Sequence, residues 1–272
     1  MIYLSFPSIS PVIFSLGPVE IRWYSLAYIV GFLFAWRYIS YLSTNKSLYQ
    51  SNSNIDRKLI DDLLFYSILG LILGARLGYV IFYNLDFYFQ NPLNIFYVWE
   101  GGLSFHGGLL GIIFASLFIT KLYKVSFLEL TDLICLSAPV GLLLGRISNF
   151  INGELYGRPS SILFGVLFPN ADDQYRHPSQ LYEAFLEGLV LFIIVNVAAH
   201  SFKKLSKPGY ISGLFLFLYG VFRCLVEFTR EPDIQVGFIY NFLTMGMILS
   251  LPMIFAGLFI MLLSKRAHEI DK

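Results

Sequence analysis

The sequence predicts an all-α membrane protein with seven transmembrane helices. Three observations carry this. Of the 272 residues, 56% are hydrophobic and 14% charged, against ~25% charged in a soluble domain. Seven apolar stretches reach the ~20 residues a helix needs to cross the hydrocarbon layer. All nine lysines fall on alternate connections between those stretches, as loops on one side of a bilayer do. The same figures exclude a soluble enzyme and a disordered chain. A net charge of +1 offers no basic field for nucleic acid. Cys135 and Cys224 are the only cysteines. Two thiols alone form neither a disulfide framework nor a zinc site.

Residues 1–20 are apolar, have no Lys or Arg, and contain Pro7, Pro11 and Pro18. A cleaved leader needs a positive start and an unbroken apolar run. This segment therefore reads as an irregular arm at the interface, or as a short interfacial helix. The spans follow at roughly 21–42, 62–85, 103–122, 130–151, 181–202, 210–229 and 239–264. They are too long, and lack the alternation, for membrane β-strands. The connection 152–180 has the only room for an extramembrane structure, a small head loop. The whole chain, 1–272, is expected to form one polytopic domain.

Orientation follows from the basic residues. One set of connections holds Lys46, Arg57, Lys58, Lys121, Lys124, Lys203, Lys204, Lys207, Lys265, Arg266 and Lys272. The other holds Arg158, Arg176 and Arg230, with Arg22 at the edge of the first span. The lysine-rich side is expected to be cytoplasmic, so the N-terminus is periplasmic and the C-terminus cytoplasmic. Trp23 and Trp99 then sit at the outer interface, and Trp36 lies toward the inner side. Arg without Lys on the outer side suggests geometry rather than solubility, because the guanidinium fork pairs bidentately with phosphate or carboxylate.

Five ionisable residues stand out in the spans or near their outer ends: Arg76, His106, Arg146, Arg223 and Glu227. Each is costly in lipid and is a functional candidate for that reason. Arg223 lies 13 residues into the sixth span, ~20 Å from its inner edge at ~1.5 Å per residue. By the same count all five converge on the outer half of the bilayer. Tyr219, Arg223, Glu227 and Arg230 form one helical stripe. An Arg223–Glu227 pair that only locks helix packing is the simpler reading of that stripe.

Arg146 and Asn149 lie one turn apart and lead into Asn152-Gly153-Glu154-Leu155-Tyr156-Gly157-Arg158-Pro159, which ends the helix at the outer rim. His106 is flanked by Gly101-Gly102 and Gly107-Gly108, which permit close approach. It is a general-base candidate, or a helix-start His bonded to a carbonyl. Arg76 lies between Gly74 and Gly78 and either serves the site or snorkels to the headgroups. His177-Pro178-Ser179-Gln180-Leu181-Tyr182-Glu183 opens the fifth span, as a cap or as part of the site. No metal-ligand spacing joins His106 and His177.

This set at headgroup depth suits an anionic phospholipid headgroup, since Arg in low dielectric orients a phosphate. No internal nucleophile stands out. Cys224 points about 100° away from Arg223, and Cys135 belongs to the inner half. A lipid or anion transporter fits the composition as well, but no repeated halves are evident and the charges lie off the midplane. An intramembrane hydrolase would need a G-x-S-x-G elbow or paired Asp in the spans.

The chain resembles the bacterial phosphatidylglycerol–prolipoprotein diacylglyceryl transferases along essentially its whole length. The signature is Gly145-Arg146-Ile147-Ser148-Asn149-Phe150-Ile151-Asn152-Gly153-Glu154-Leu155-Tyr156-Gly157-Arg158. It is joined by Ser104-Phe105-His106-Gly107-Gly108, by His177 through Glu183, and by Tyr219 through Arg223 and Glu227 to Arg230-Glu231-Pro232-Asp233. Ser148 and Cys224 stand where the family often has Gly and an aromatic. The resemblance implies transfer of the sn-1,2-diacylglyceryl group of phosphatidylglycerol to the lipobox cysteine of a prolipoprotein signal peptide. A thioether forms and glycerol phosphate leaves, as the first step of lipoprotein maturation at the bacterial inner membrane.

By the same resemblance, His106, Arg146, Arg223, Tyr219 and Glu227 are the expected catalytic positions. Arg146, Asn149, Glu154, Gly157, Tyr24, Arg76 and Arg223 are the expected substrate-binding ones. Arg146 and Arg223 are expected to hold the phosphate, with Arg76 as a helper. His106 is expected to take the thiol proton, unless the arginines alone lower the thiol pKa enough. No cofactor or metal is expected, and no nucleic acid. The other partners are membrane lipids.

Overall fold

The computed structural model describes residues 4–7, 9–17, 19–45, 48, 55–160, 165–232, 237–239 and 243–270. Asp233, the last residue of the fourth signature, lies outside them, as does Pro18.

Much of the described N-terminal segment is strand, rather than an irregular arm or a helix. It holds β1 (Leu4–Ser5) and a hairpin of β2 (Val12–Leu16) and β3 (Val19–Arg22) with a bulge between Val12 and Phe14. Val12, Ile13 and Phe14 favour a pleated chain, and Gly17 turns it at φ +60°. Strand pairing satisfies the backbone groups that an irregular arm would leave open at an interface.

Helix α1 (Trp23–Thr44) starts directly from β3. Helix α2 (Arg57–Tyr83) is capped by Asp56, whose carboxylate accepts from the Leu59 N–H at 2.8 Å. It thus begins several residues before the apolar run and carries Arg57, Lys58, Asp61 and Asp62 in its first turns. Helix α4 (Phe105–Tyr123) is capped by Ser104, which accepts from the Gly107 N–H. Helix α5 (Phe127–Ile151) runs into the Asn152-Gly153 turn. The fifth span joins α6 (Ser179–Glu183), a π-helical stretch (Ala184–Val190) and α7 (Leu191–His200). Helices α8 (Tyr210–Glu227) and α9 (Met245–Ile270) complete the set. Among the described residues, seven helices are long and apolar enough to cross a membrane. The last starts at Met245, later than the apolar run at 239, because Ile239 and Leu243 pair as a tight bridge first.

Room for extramembrane structure is not confined to 152–180. Between α2 and α4 lie α3 (Leu85–Gln90) and the 3₁₀ turns Pro92–Phe96 and Val98–Glu100. The 152–180 connection itself contributes β4 (Val166–Leu167) and β5 (Tyr175–Arg176). β4 pairs antiparallel with β5 and parallel with β1, with Leu4 opposite Val166. Phe6 packs on Phe150 and Phe168 at 5.4 and 5.5 Å between centroids, so the first strand seals this sheet onto the end of α5.

Helices α2 and α4 meet along glycines. A Cβ on Gly74 would strike the backbone of Gly107 and Gly111, so the two backbones touch where only small residues allow it. The buried apolar core, including Leu59, Leu63, Ile119, Leu133, Leu136, Val195 and Ile211, lies toward the lysine-bearing ends of the helices. Within it Asp132, fully buried, caps α8 by accepting from Gly209 N, Ser212 N and Ser212 Oγ at 2.6–2.7 Å. Many large side chains on the outer helix faces, such as Phe65, Leu73, Phe114 and Phe255, are exposed, as lipid-facing residues are. The opposite ends of α5, α6 and α8 hold the charges.

Candidate functional site

Three arginines and three glutamates interlock at that end. Arg146, near the end of α5, places Nε 3.3 Å from Glu183 Oε2 and Nη2 3.5 Å from Glu187 Oε2. Arg223 of α8 donates from Nη1 to Glu183 Oε1, and its Nη2 forms an ion pair with Glu227 Oε1 at 2.5 Å. Its Nη1 also lies 3.8 Å from Glu187 Oε1. Arg230 Nη1 donates to Glu183 Oε1 at 3.0 Å, and its Nε is 3.8 Å from Glu227.

Glu183 and Glu187 are fully buried, and the three arginine side chains are 12–18% exposed. Tyr219, one turn before Arg223 on α8, interacts electrostatically with Arg146, Arg223, Glu183 and Glu187. The Tyr219–Arg223–Glu227–Arg230 stripe therefore does more than pair with itself. It docks onto carboxylates supplied by the fifth span.

The turn after α5 is built by the signature residues. Asn149 Nδ2 donates to Glu154 Oε1 at 2.8 Å, and Asn152 to the same oxygen at 3.3 Å. Gln180 holds the Glu154 carbonyl. Gly157 donates its N–H to the His177 carbonyl at 2.8 Å and bridges Arg230. A Cβ at Gly157 would collide with the Thr229 carbonyl and the His177 backbone, which is the physical reason for glycine there. Arg158 donates to the carbonyls of Arg230 (2.8 Å) and Glu227 (3.0 Å), tying the turn to the end of α8. Arg176 donates to Asp172 and Glu231 at 2.8 Å. The Arg176 hydrogen bond holds the Asp172 carboxyl below its usual pKa. Burial lowers the His177 pKa, and the Arg158 charge adds to that.

Arg76 is placed differently from the expectation. It is 3% exposed. All five of its N–H groups point at carbonyls: Nε to Ile95, Nη1 to Gly101 and Gly102, Nη2 to Asn94 and Tyr97. Its guanidinium lies over the Tyr88 ring at 5.0 Å. It has neither a snorkelling conformation nor a donor left for a phosphate. It gathers the segment between α2 and α4 instead.

His106, in the first turn of α4, is exposed and meets the Phe105 ring edge-on at 5.7 Å. Among the described residues it makes no hydrogen bond or ion pair with the charged cluster, nor the carbonyl bond of a helix-start His. Tyr24 pairs with Tyr28 at 5.5 Å on α1 and, among the described residues, makes no hydrogen bond or ion pair with the cluster.

Glu187 was not singled out by sequence, and Glu183 only as a cap or site residue. The signal was there. Both are carboxylates inside an apolar span, one turn apart, and meet the same cost criterion that marked Arg223.

Fold and cluster together define a class: a polytopic membrane protein with a buried guanidinium–carboxylate cluster at one end of its helix bundle. A family model described as prolipoprotein diacylglyceryl transferase matches residues 11–263, and the chain belongs to that family. It is 52% identical over 254 residues to the phosphatidylglycerol–prolipoprotein diacylglyceryl transferase of Rickettsia felis, covering 93% of this chain and 96% of the relative. The enzyme of the same name from Rickettsia rickettsii (strain Sheila Smith) is also 52% identical over the same shares. That from Rickettsia bellii (strain OSU 85-389) is 49% identical over 95% of this chain and 97% of its own length.

Proposed function

We propose that the chain moves the diacylglyceryl group of phosphatidylglycerol onto the lipobox cysteine of a prolipoprotein, in the bacterial inner membrane and from its periplasmic side. The observation that carries this is the Arg146–Arg223–Arg230 cluster, held by Glu183, Glu187 and Glu227 at one end of the helix bundle. The clustering of lysines at the other ends of the helices supports a periplasmic site, with N-out and C-in topology. The β4–β5 connection is then the periplasmic head.

The reaction needs two things of the protein. The departing glycerol phosphate must have its charge neutralised where it develops, which preorganised guanidinium groups do in low dielectric. Arg146 and Arg223 supply this, with their forks aimed by buried carboxylates. The substrate thiol, with an ordinary pKa of ~8.5, must lose its proton to attack well. His106 is exposed, has no polar partner among the described residues, and is the base in this scheme. The thiolate attacks the glycerol carbon, the C–O bond to phosphate breaks, and glycerol phosphate leaves with the bonding electrons. Asn149, Glu154 and Gly157 shape the turn that carries the Arg158 and Arg176 ties, and Tyr24 lies in the first turn of α1. Arg76 acts on protein rather than on lipid, holding the segment before His106.

The test mixes purified protein, phosphatidylglycerol and a lipobox peptide in detergent and follows the peptide by mass spectrometry. A diacylglyceryl adduct is expected on the cysteine peptide and not on its Cys→Ser version. A folded, lipid-binding preparation that yields no adduct overturns the assignment.

A further inference from the structure

The cluster is neutral as it stands: three guanidinium groups face three carboxylates. A phosphodiester entering it adds a negative charge to a site almost closed to water. Uncompensated charge in such surroundings is expensive, so a carboxylate must give up its charge or leave.

The three carboxylates are not held equally. Glu183 accepts hydrogen bonds from Arg223 and Arg230. Glu227 pairs with Arg223 at 2.5 Å. Glu187 is fully buried, and neither of its oxygens has a hydrogen bond. Among the described residues its only ion-pair contacts are the long ones, 3.5 Å to Arg146 and 3.8 Å to Arg223. These are the two groups assigned to the phosphate.

We propose that Glu187 is the charge-balancing residue of the site: when a phosphodiester takes Arg146 and Arg223, Glu187 loses its counter-charges and takes up one proton from solvent. This rests on the phosphate assignment made above. The charged groups that face Glu187 are Arg146 from α5, Arg223 from α8, Arg230 beyond it, and Glu183 on its own span, with Tyr219 of α8 beside them. Once a singly charged phosphodiester occupies Arg146 and Arg223, the site carries one net negative charge, Glu183 repels the second carboxylate beside it, and one proton on Glu187 restores neutrality. No covalent bond changes in this step.

The test is calorimetry of phosphatidylglycerol binding to the full chain in detergent, in two buffers of different ionisation enthalpy, from pH 6 to 8. Wild type should take up about one proton per lipid, and its Kd should weaken by up to about tenfold per pH unit, the slope for one linked proton. Diacylglycerol, which lacks the phosphate, should cause no uptake. Glu187→Gln should bind with a pH-independent Kd and no uptake, and Glu187→Asp should restore both. His106→Gln should leave the uptake intact, which separates the two groups. Lipid binding by wild type without proton uptake overturns this inference but leaves the phosphate assignment standing. Uptake that persists in Glu187→Gln overturns it too. No binding of phosphatidylglycerol overturns both. Where Glu187→Gln does not fold, wild-type binding without uptake still overturns the inference, and uptake whose pH dependence does not move in Glu187→Asp overturns it too.

Discussion

Glu183 Oε1 accepts from Nη1 of Arg223 and, at 3.0 Å, from Nη1 of Arg230, although the two arginines lie on either side of the end of α8. One buried carboxylate from the fifth span thus fixes both the last turn of α8 and the chain that leaves it. Glu183→Gln should lower stability by about 3–5 kcal/mol, because it leaves buried guanidinium charge unbalanced. Thermal unfolding of the detergent-solubilised protein measures this, and a loss below 1 kcal/mol would show that the charges are solvated after all.

Arg146 and Arg223 are assigned the phosphate, and a lysine in either place keeps the charge but loses the fork. Arg146→Gln should cut turnover by about 100-fold or more, the effect of deleting one preorganised donor. Arg146→Lys should recover only part of that. Initial rates of peptide lipidation check both.

If His106 takes the thiol proton, His106→Gln should lower kcat steeply at neutral pH and recover at high pH, where the thiol ionises unaided. Near-normal turnover across pH 6–9 would transfer the base role to the arginines and solvent.

Arg76 makes a different prediction. Its five carbonyl contacts order the chain between Asn94 and Gly102. Arg76→Gln should expose that segment to limited proteolysis and destabilise the protein by about 3 kcal/mol through carbonyls left without donors. Weaker lipid affinity with unchanged proteolysis would restore the helper role.

Burial, with the Arg158 charge adding to it, disfavours the protonated form of His177 in the fold. Its folded pKa lies below its unfolded value of about 6.5. Its contribution to stability is therefore complete above that value and is lost as pH falls through the folded pKa. Melting temperatures should drop on acidification below pH 6.5, and His177→Gln should remove that part of the drop.

The spans, and the meeting of Arg146, Arg223 and Glu227 at one end of the bundle, were legible in the sequence because hydrophobic length and charge position are one-dimensional properties. A run of apolar residues must cross, and a charge inside it sits at a depth set by the helical rise. The Arg223 stripe and the Asn-Gly turn after α5 were legible for the same reason, as local periodicity and turn chemistry. The strands of residues 4–22 were not. Their partners include Val166, far along the chain, and a two-residue strand has no periodicity of its own.

What only the tertiary structure decided is partnership. Arg76 and Arg146 look alike as single charges in apolar spans, yet one is saturated by backbone carbonyls and the other faces Glu183 and Glu187. Which charge meets which depends on how the helices rotate and cross, and that is set by packing between segments distant in sequence, such as the glycine seam of α2 and α4. Depth follows from the chain alone; the balance of charge in the site follows from which side chains the bundle brings within a few ångströms of each other, where Coulomb energies in a poorly screened interior are large.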